Sequence, residues 1–548
     1  MRIGRRRAGG RMSAAGTHAF PGFAFGRGER PLALVGGGLI LDSGEAENTF
    51  AFRCQDRFLV YTGLLGLPSV LLVLDDAHGR HYARLLATLD ERLQRLAAAH
   101  GVAAPRLPAP VHVRCDLRTL SLSATDSFDR AAHALARDGA RIGFVANQMA
   151  PTTARMLGEL ADLLRGRGVA VDFDRAGCER VAALAQAWHN KARFLAFVRD
   201  AAIRGGPPLA PSAVLAPDAF LRMRDWAALA ARFAAQCDRR APSSGLFLKS
   251  SQDSSGNVSA ILSEANFAER APAFAAEVRR WLLADGFDDP AHVRELRSEC
   301  ALPPSMETVA LSDATLVDLR RRQARRRAGL PLIVQPALQP PAGAWGRPAS
   351  VGASFYIEDD GSHRVVAVAA QLYRDAQRRQ FLGLHVDDGL LDDCRAREWV
   401  ARCGALLDAL AARGYRGPVN FDGCMGADGR YWFVGDCNPR LTAVYVPLAV
   451  RAWLRAAGID VRSVSSFGYR GEFEIPEIRA CVDTWSRAGL IFSRERPQGF
   501  VILPNLARRD GHDALAINLD VAQASARLAR MRELAVQAVP AHLGAIHV

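Results

Sequence analysis

Gly417-Pro-Val-Asn-Phe-Asp422-Gly-Cys-Met-Gly-Ala-Asp-Gly-Arg-Tyr-Trp-Phe-Val-Gly-Asp436-Cys-Asn438-Pro-Arg440 is the stretch from which the rest of this chain can be read. Two strand-like runs, Val419–Cys424 and Tyr431–Cys437, flank Asp428-Gly429. An Asp-Gly pair between apolar runs signals a hairpin, because Gly supplies the positive φ that the turn needs. With a three-residue loop, Asp428-Gly429-Arg430, Ala427 faces Tyr431. Asp422 then stands across from Asp436, and Asn420 across from Asn438. A two-residue turn puts the two aspartates on opposite faces instead. Facing carboxylates repel. A divalent cation would supply the missing charge, and Mg²⁺ takes oxygen ligands, usually one or two carboxylates plus substrate phosphates. Ordinary hairpins outnumber metal sites, so the spacing alone leaves both readings open.

Lysine usage adds the second clue. Of the 70 Lys and Arg residues, only Lys191 and Lys249 are lysine. A GC-rich coding bias explains losing lysine nearly everywhere, but not keeping two. Arg and Lys exchange freely on most solvated surfaces, though not where a compact ammonium must act as a point charge on phosphate oxygens. Lys249 ends the strand-like run Gly245–Lys249 and leads into Ser250-Ser-Gln-Asp-Ser254-Ser255-Gly256-Asn257, before a second strand at Val258–Leu262. Small residues and a glycine make a loop whose backbone N–H groups and hydroxyls suit a triphosphate. By itself such a Ser-rich loop is more often only a loop.

Taken together, these segments resemble the ATP-grasp superfamily. The strand, Lys249, the Ser/Gly loop and the next strand come first. A hinge strand follows at Leu332-Ile-Val-Gln335-Pro-Ala-Leu338, and then Asp422 and Asp436-Cys-Asn438-Pro-Arg440. They run in that family's order from about 185 to 450. The resemblance implies that Lys191 and Lys249 bind ATP phosphates, with Ser254, Ser255 and Gly256 covering them. Gln335 and Leu338 would contact the adenosine, and Asp422, Asp436 and Asn438 would hold Mg²⁺ or Mn²⁺. Arg440, with Lys249, would steady the transferred phosphate or an acyl phosphate. Arg378 or Arg379 would take a substrate carboxylate. Two positions depart from the family's pattern: Asp436 stands where Glu is usual, and Gln335 where the hinge often has an acid.

The surrounding chain fits an α/β fold with an α+β lid. Its 548 residues suggest several domains. The Gly- and Arg-rich residues 1–30 lack periodicity and an apolar core, so they read as a basic disordered tail and not a signal peptide, with Met12 a second candidate start. Residues 31–184 read as a pre-ATP-grasp α/β domain. Buried strands are expected near Leu32–Val35, Val70–Leu74 and Arg141–Ala146, and helices over Ala83–Ala99 and Ala154–Leu164. Gly36-Gly-Gly38 is followed by another apolar run where a helix should begin, so a dinucleotide site is disfavoured. His78 and His81 have no further ligands nearby in sequence and read as a surface pair. The resemblance implies a catalytic domain at 185–455, with the lid at about 207–335, and a small C-terminal domain at 456–548. This domain order, with the segment Gly499–Pro504, looks most like the pheganomycin-type ATP-grasp peptide ligases.

Composition narrows the function classes. Ten scattered cysteines without a Cys-x-x-Cys pair point to free thiols in a reducing cytoplasm. The longest apolar run, Leu64–Leu74, contains Pro68 and is too short to span a bilayer. The net charge of +13 and the arginine run Leu319–Arg327 raise a nucleic-acid alternative, but a solvated helix face accounts for the run. The resemblance implies an ADP-forming carboxylate–amine ligase acting on small-molecule or peptide substrates, with self-association left open. Other ATP-grasp acceptors, or a non-catalytic nucleotide- or nucleic-acid-binding role, are the alternatives.

Overall fold

The computed structural model describes residues 23–25, 30–35, 61–73, 76–99, 104, 107–116, 119, 121–139, 141–146, 148–201, 203–252, 258–279, 282, 330–339, 348–373, 381–470, 475–493, 496–504 and 511–538. Three sheets organise them. The first has six strands in the order 23–25, 142–146, 30–35, 69–73, 111–115, 122–124, parallel at its centre and antiparallel at both edges. Its central strand Ser69–Val73 is buried along its whole length, as an apolar run covered on both faces must be. The helix Asp126–Asp138 beside it is stopped at both ends by its own sequence. Thr125 accepts a hydrogen bond from the Phe128 N–H, and Gly139 adopts φ 67°.

The second sheet is antiparallel, with strands 213–215, 332–336, 246–250 and 259–262 in that order and its own small core around Phe220, Phe233 and Phe274. Lys249 pairs with Ile333 on the hinge strand. The third sheet has eight antiparallel strands, in the order 431–438, 417–425, 350–357, 363–373, 381–387, 463–470, 511–517, 499–504. The three strands beyond residue 460 therefore continue the sheet that carries the 417–438 hairpin. Phe467, Trp485, Phe500 and Met531 form an apolar cluster of their own beside these strands.

One core joins the first sheet to the hairpin, holding Leu32, Phe144, Trp188, Phe194, Phe421 and Phe433 together. Phe194 stacks on Phe421 with centroids 6.2 Å apart and meets Phe433 edge-on at 5.9 Å. Such aromatic pairs add about 1 kcal/mol each beyond simple burial. They fix the helix Lys191–Asp200 against the inner face of the hairpin. Of the eight cysteines among the described residues, all are free. No helix among the described residues is long and apolar enough to cross a membrane.

Candidate active site

The hairpin is present, but its turn differs from the three-residue loop expected. Met425 pairs with Tyr431, and the Gly426 N–H bonds to the Arg430 carbonyl, so residues near the turn sit two positions away from the expected register. A bulge then restores it. Between the pairs Gly423–Phe433 and Phe421–Cys437, the single residue Asp422 opposes Val434, Gly435 and Asp436, and Asn420 faces Asn438 as expected. Because side chains alternate with period two, a two-residue shift leaves every side chain on its face. Tyr431, Phe433 and Cys437 enter the core, while Asp436 and Asn438 stay half-buried on the other side.

Gly435 makes the bulge. Its φ is 76°, and a Cβ there would lie 2.7 Å from Leu195 Cδ2. Both the left-handed backbone and the contact exclude a side chain. We expect Gly435→Ala to lower stability by about 1–3 kcal/mol and to displace Asp436, so urea unfolding and activity should fall together. Wild-type stability in that variant would contradict this account of the bulge.

Both lysines converge on Asp436. Lys249 Nζ donates to Asp436 Oδ2 at 3.0 Å and to the Val434 carbonyl, which the bulge presents, at 2.9 Å. Lys191 Nζ pairs with Asp436 Oδ1 at 3.4 Å. Lys191 is the first residue of its helix, which Asn190 caps by accepting from the Arg193 N–H. The Lys191 N–H in turn bonds to the Ser251 carbonyl at 2.7 Å, tying the helix start to the end of the Lys249 strand. Burial alone would raise the Asp436 pKa, but Lys249 and then Lys191 outweigh it and hold the carboxyl below its ordinary range.

Asp422 is in the opposite situation. Its Oδ1 accepts from Gln371 Nε2 and from Asn420 Nδ2, each at 2.8 Å, and its Oδ2 from Asn438 Nδ2 at 3.1 Å. Burial, and then the neighbouring Asp436 charge, push its pKa up to about 7, against smaller opposing effects from Asn420, Lys249 and Arg440. Two carboxylates and the Asn438 amide oxygen are hard oxygen donors with no thiolate or imidazole among them. This set suits Mg²⁺ or Mn²⁺, and a cation here would relieve the charge repulsion that raises Asp422. Among the described residues no group of three or more His, Cys, Asp and Glu could hold a metal alone. Substrate oxygens would therefore have to complete the coordination.

Arg440 Nη2 lies 3.4 Å from Asn438 Oδ1, and the Arg440 backbone bridges to Gln148, just after the strand 142–146 of the first sheet. Gln335 is buried on the strand Leu332–Pro336, donating from Nε2 to Ser212 Oγ at 2.8 Å and to the Val434 carbonyl at 3.1 Å. Leu338 lies half-buried two residues beyond the hinge strand. Ser254, Ser255, Gly256, Arg378 and Arg379 lie outside the described residues, as do the Gly36–Gly38 segment and the arginine run.

Sequence reading missed three contributors. Gln371 orients Asp422, and its Oε1 accepts from Ser350 Oγ at 2.7 Å and Tyr373 OH at 2.8 Å. Gly352 faces Asp422 across the sheet. A Cβ on it would lie 3.1 Å from Asp422 Oδ1, so a small residue keeps that carboxylate's place clear. Ser212 anchors Gln335. None of the three has a local signature; each acts through strand pairing.

No protein-family model matches the sequence, and no curated protein matches it. Among solved structures, the N5-carboxyaminoimidazole synthetase of Staphylococcus aureus, complexed with ADP, has 8% identity and a TM-score of 0.42, over 94% of this chain and 100% of that one. An L-amino acid ligase from Bacillus licheniformis has 10% identity and a TM-score of 0.41, over 92% and 98%. The biotin carboxylase domain of the 2-oxoglutarate carboxylase of Hydrogenobacter thermophilus, in complex with MgADP, ADP and bicarbonate, has 12% identity and a TM-score of 0.41, over 92% and 89%. All three likenesses are distant, and none carries its protein's ligands over to this chain.

Proposed function

We propose that this chain is an ATP-grasp enzyme that uses ATP to join a carboxylate to an amine, releasing ADP and phosphate. One observation carries the reading: Lys191 and Lys249, the only lysines in the sequence, meet at Asp436 beside Asp422 and Asn438 although they come from different elements. In a structural ion pair arginine would serve as well or better. Retained lysines beside two carboxylates fit a polyphosphate with its divalent cation.

In this reading the carboxylate attacks the γ-phosphate, forming an acyl phosphate and ADP, and the amine then displaces phosphate to give an amide. Neither step needs a covalent link to the protein, so its task is positioning and charge neutralisation. Lys191 and Lys249 would neutralise the phosphates. Asp422, Asp436 and Asn438 would hold the cation, which would supply positive charge at the phosphoryl oxygens. Arg440 would face the transferred group. Gln335 and Leu338 would border the adenosine, and Ser254, Ser255 and Gly256 would close over the phosphates to exclude water. Arg378 or Arg379 would take the substrate carboxylate. A peptide ligase of the pheganomycin type, with a pre-ATP-grasp domain at 31–184, a catalytic domain at 185–455 and a C-terminal unit beyond, is the finer reading we adopt.

Incubation with ATP, Mg²⁺ and pooled amino acids and short peptides should release ADP in an amine-dependent manner. Mass spectrometry should find a product lighter by one water than its two substrates together. ADP release with bicarbonate but no amine would move the assignment to a carboxylating enzyme. The absence of any nucleotide turnover or binding would overturn it.

A further inference from the structure

The two oxygens of Asp422 are held unequally. Gln371 Nε2 and Asn420 Nδ2 both donate to Oδ1, each at 2.8 Å, while Oδ2 takes only Asn438 Nδ2, at 3.1 Å, among the donors described. Hydroxyl groups hold both of the amides at Oδ1 with their N–H groups toward it. Gln371 Oε1 accepts from Ser350 Oγ at 2.7 Å and from Tyr373 OH at 2.8 Å, and Asn420 Oδ1 accepts from Ser354 Oγ at 3.0 Å. Gln371 reaches Asp422 across the strand 350–357, and Gly352 on that strand leaves the path open. A Cβ on Gly352 would lie 3.1 Å from Asp422 Oδ1 and 3.5 Å from Gln371 Nε2. An ionised carboxylate offers about four lone-pair sites on its two oxygens. The amides fill both of those on Oδ1 and one on Oδ2, so a single site on Oδ2 is left for a cation.

That count bears on which ion is accepted. Mg²⁺ is small and takes single-oxygen contacts in a near-octahedral shell. Ca²⁺ is larger, gathers roughly six to eight oxygens and readily takes both oxygens of one carboxylate. Resting on the reading of this cleft as a Mg·ATP site, we propose that Gln371 is a positioning residue that sets the choice of ion: by filling Oδ1 it makes Asp422 a one-oxygen ligand and disfavours Ca²⁺. Gln371 does not touch the ion. It acts through Asp422, and Tyr373 and Ser350 act through Gln371 by fixing the sense of its amide.

Calorimetric titration of the full-length protein with a non-hydrolysable ATP analogue, once in excess Mg²⁺ and once in excess Ca²⁺, tests this in the wild type, Gln371→Met and Tyr373→Phe. The quantity read is the ratio of the two affinities, which in wild type should favour Mg²⁺. Gln371→Met keeps the length of the side chain but donates nothing, so Oδ1 regains a free site. The ratio should then shift toward Ca²⁺ by about tenfold or more, as groups that orient a metal ligand typically change affinity by about 10–100-fold. Tyr373→Phe removes one of the hydroxyls that fix the Gln371 amide and should shift the ratio the same way, by less. If Gln371→Met changes both affinities alike, its role is general packing or electrostatics and the proposal is overturned, as it is by equal wild-type affinities for the two complexes. If Gln371→Met does not fold, an unshifted ratio in Tyr373→Phe overturns it. In each of these outcomes, wild-type binding of the analogue would leave the nucleotide assignment standing. A wild type that binds the analogue with neither ion would remove the assignment itself, and the proposal with it.

Discussion

Asp436→Ala should lower ATP turnover by about 10³-fold or more while the fold persists. In the proposed site the substitution would remove one cation ligand, and it removes the carboxylate that pairs with both lysines. Loss of a single preorganised electrostatic group in an active site typically costs 10²–10³ in rate, and here one group serves two purposes. The same change removes the carboxylate that the buried Lys191 and Lys249 ammonium groups share. Removing one partner of a buried ion pair costs about 3–5 kcal/mol, so the melting temperature should fall as well. Inorganic tripolyphosphate should restore it by replacing the missing negative charge. Asn438→Ala keeps the lysine contacts and should lose turnover without that stability loss. Near-wild-type turnover in either variant would count against the ligase assignment.

The second large effect concerns Asp422, whose carboxyl is pushed up to about 7 by burial and by Asp436. An unfolded aspartate titrates near 3.9. Between these values the folded state holds the proton more tightly, so the sign is opposite to that of a salt-bridged carboxylate. Stability is greatest at and below the unfolded pKa. It falls as pH rises towards 7, by roughly 2–4 kcal/mol at most, and stays low above that. Asp422→Asn removes this titration, with the Asn438 amide turning over to accept from the new amide. The variant should therefore melt several degrees above wild type at pH 8 and near it at pH 4. It should also be inactive if, as proposed, Asp422 is a ligand of the cation. Saturating Mg·ATP should flatten the pH dependence of wild type for the same reason, since it supplies the missing positive charge. A thermal-shift series from pH 4 to 8 reads both effects, and a difference between wild type and Asp422→Asn that does not grow with pH across this window would refute the account.

The convergence of these side chains was legible in the sequence where composition left a trace. Two lysines survive among 70 Lys and Arg residues, and Asp436-Cys-Asn438-Pro-Arg440 closes a strand with alternate residues on the face that carries Asp422. The structure brings Lys191, Lys249, Asp422, Asp436 and Asn438 together. What stayed hidden depends on contacts distant in sequence. The bulge follows from Gly435 lying against Leu195, and no pattern within the hairpin reports that contact. The expected register reached the right pairing of Asn420 with Asn438 only because the turn error and the bulge cancel. Gln371 reads as an ordinary strand residue until strand 363–373 is aligned one strand away from 417–425. The strands beyond residue 460 read as a separate unit because their pairing with 381–387 is set by tertiary structure, not by local propensity.

The central claim is that two lysines and two aspartates far apart in sequence enclose one Mg-bound triphosphate. Calorimetric binding of Mg²⁺ with a non-hydrolysable ATP analogue, compared between wild type, Lys191→Met and Lys249→Met, tests it most directly. The account predicts one nucleotide per chain and an affinity loss of about tenfold or more in each variant. Tight binding that is indifferent to both substitutions would contradict it.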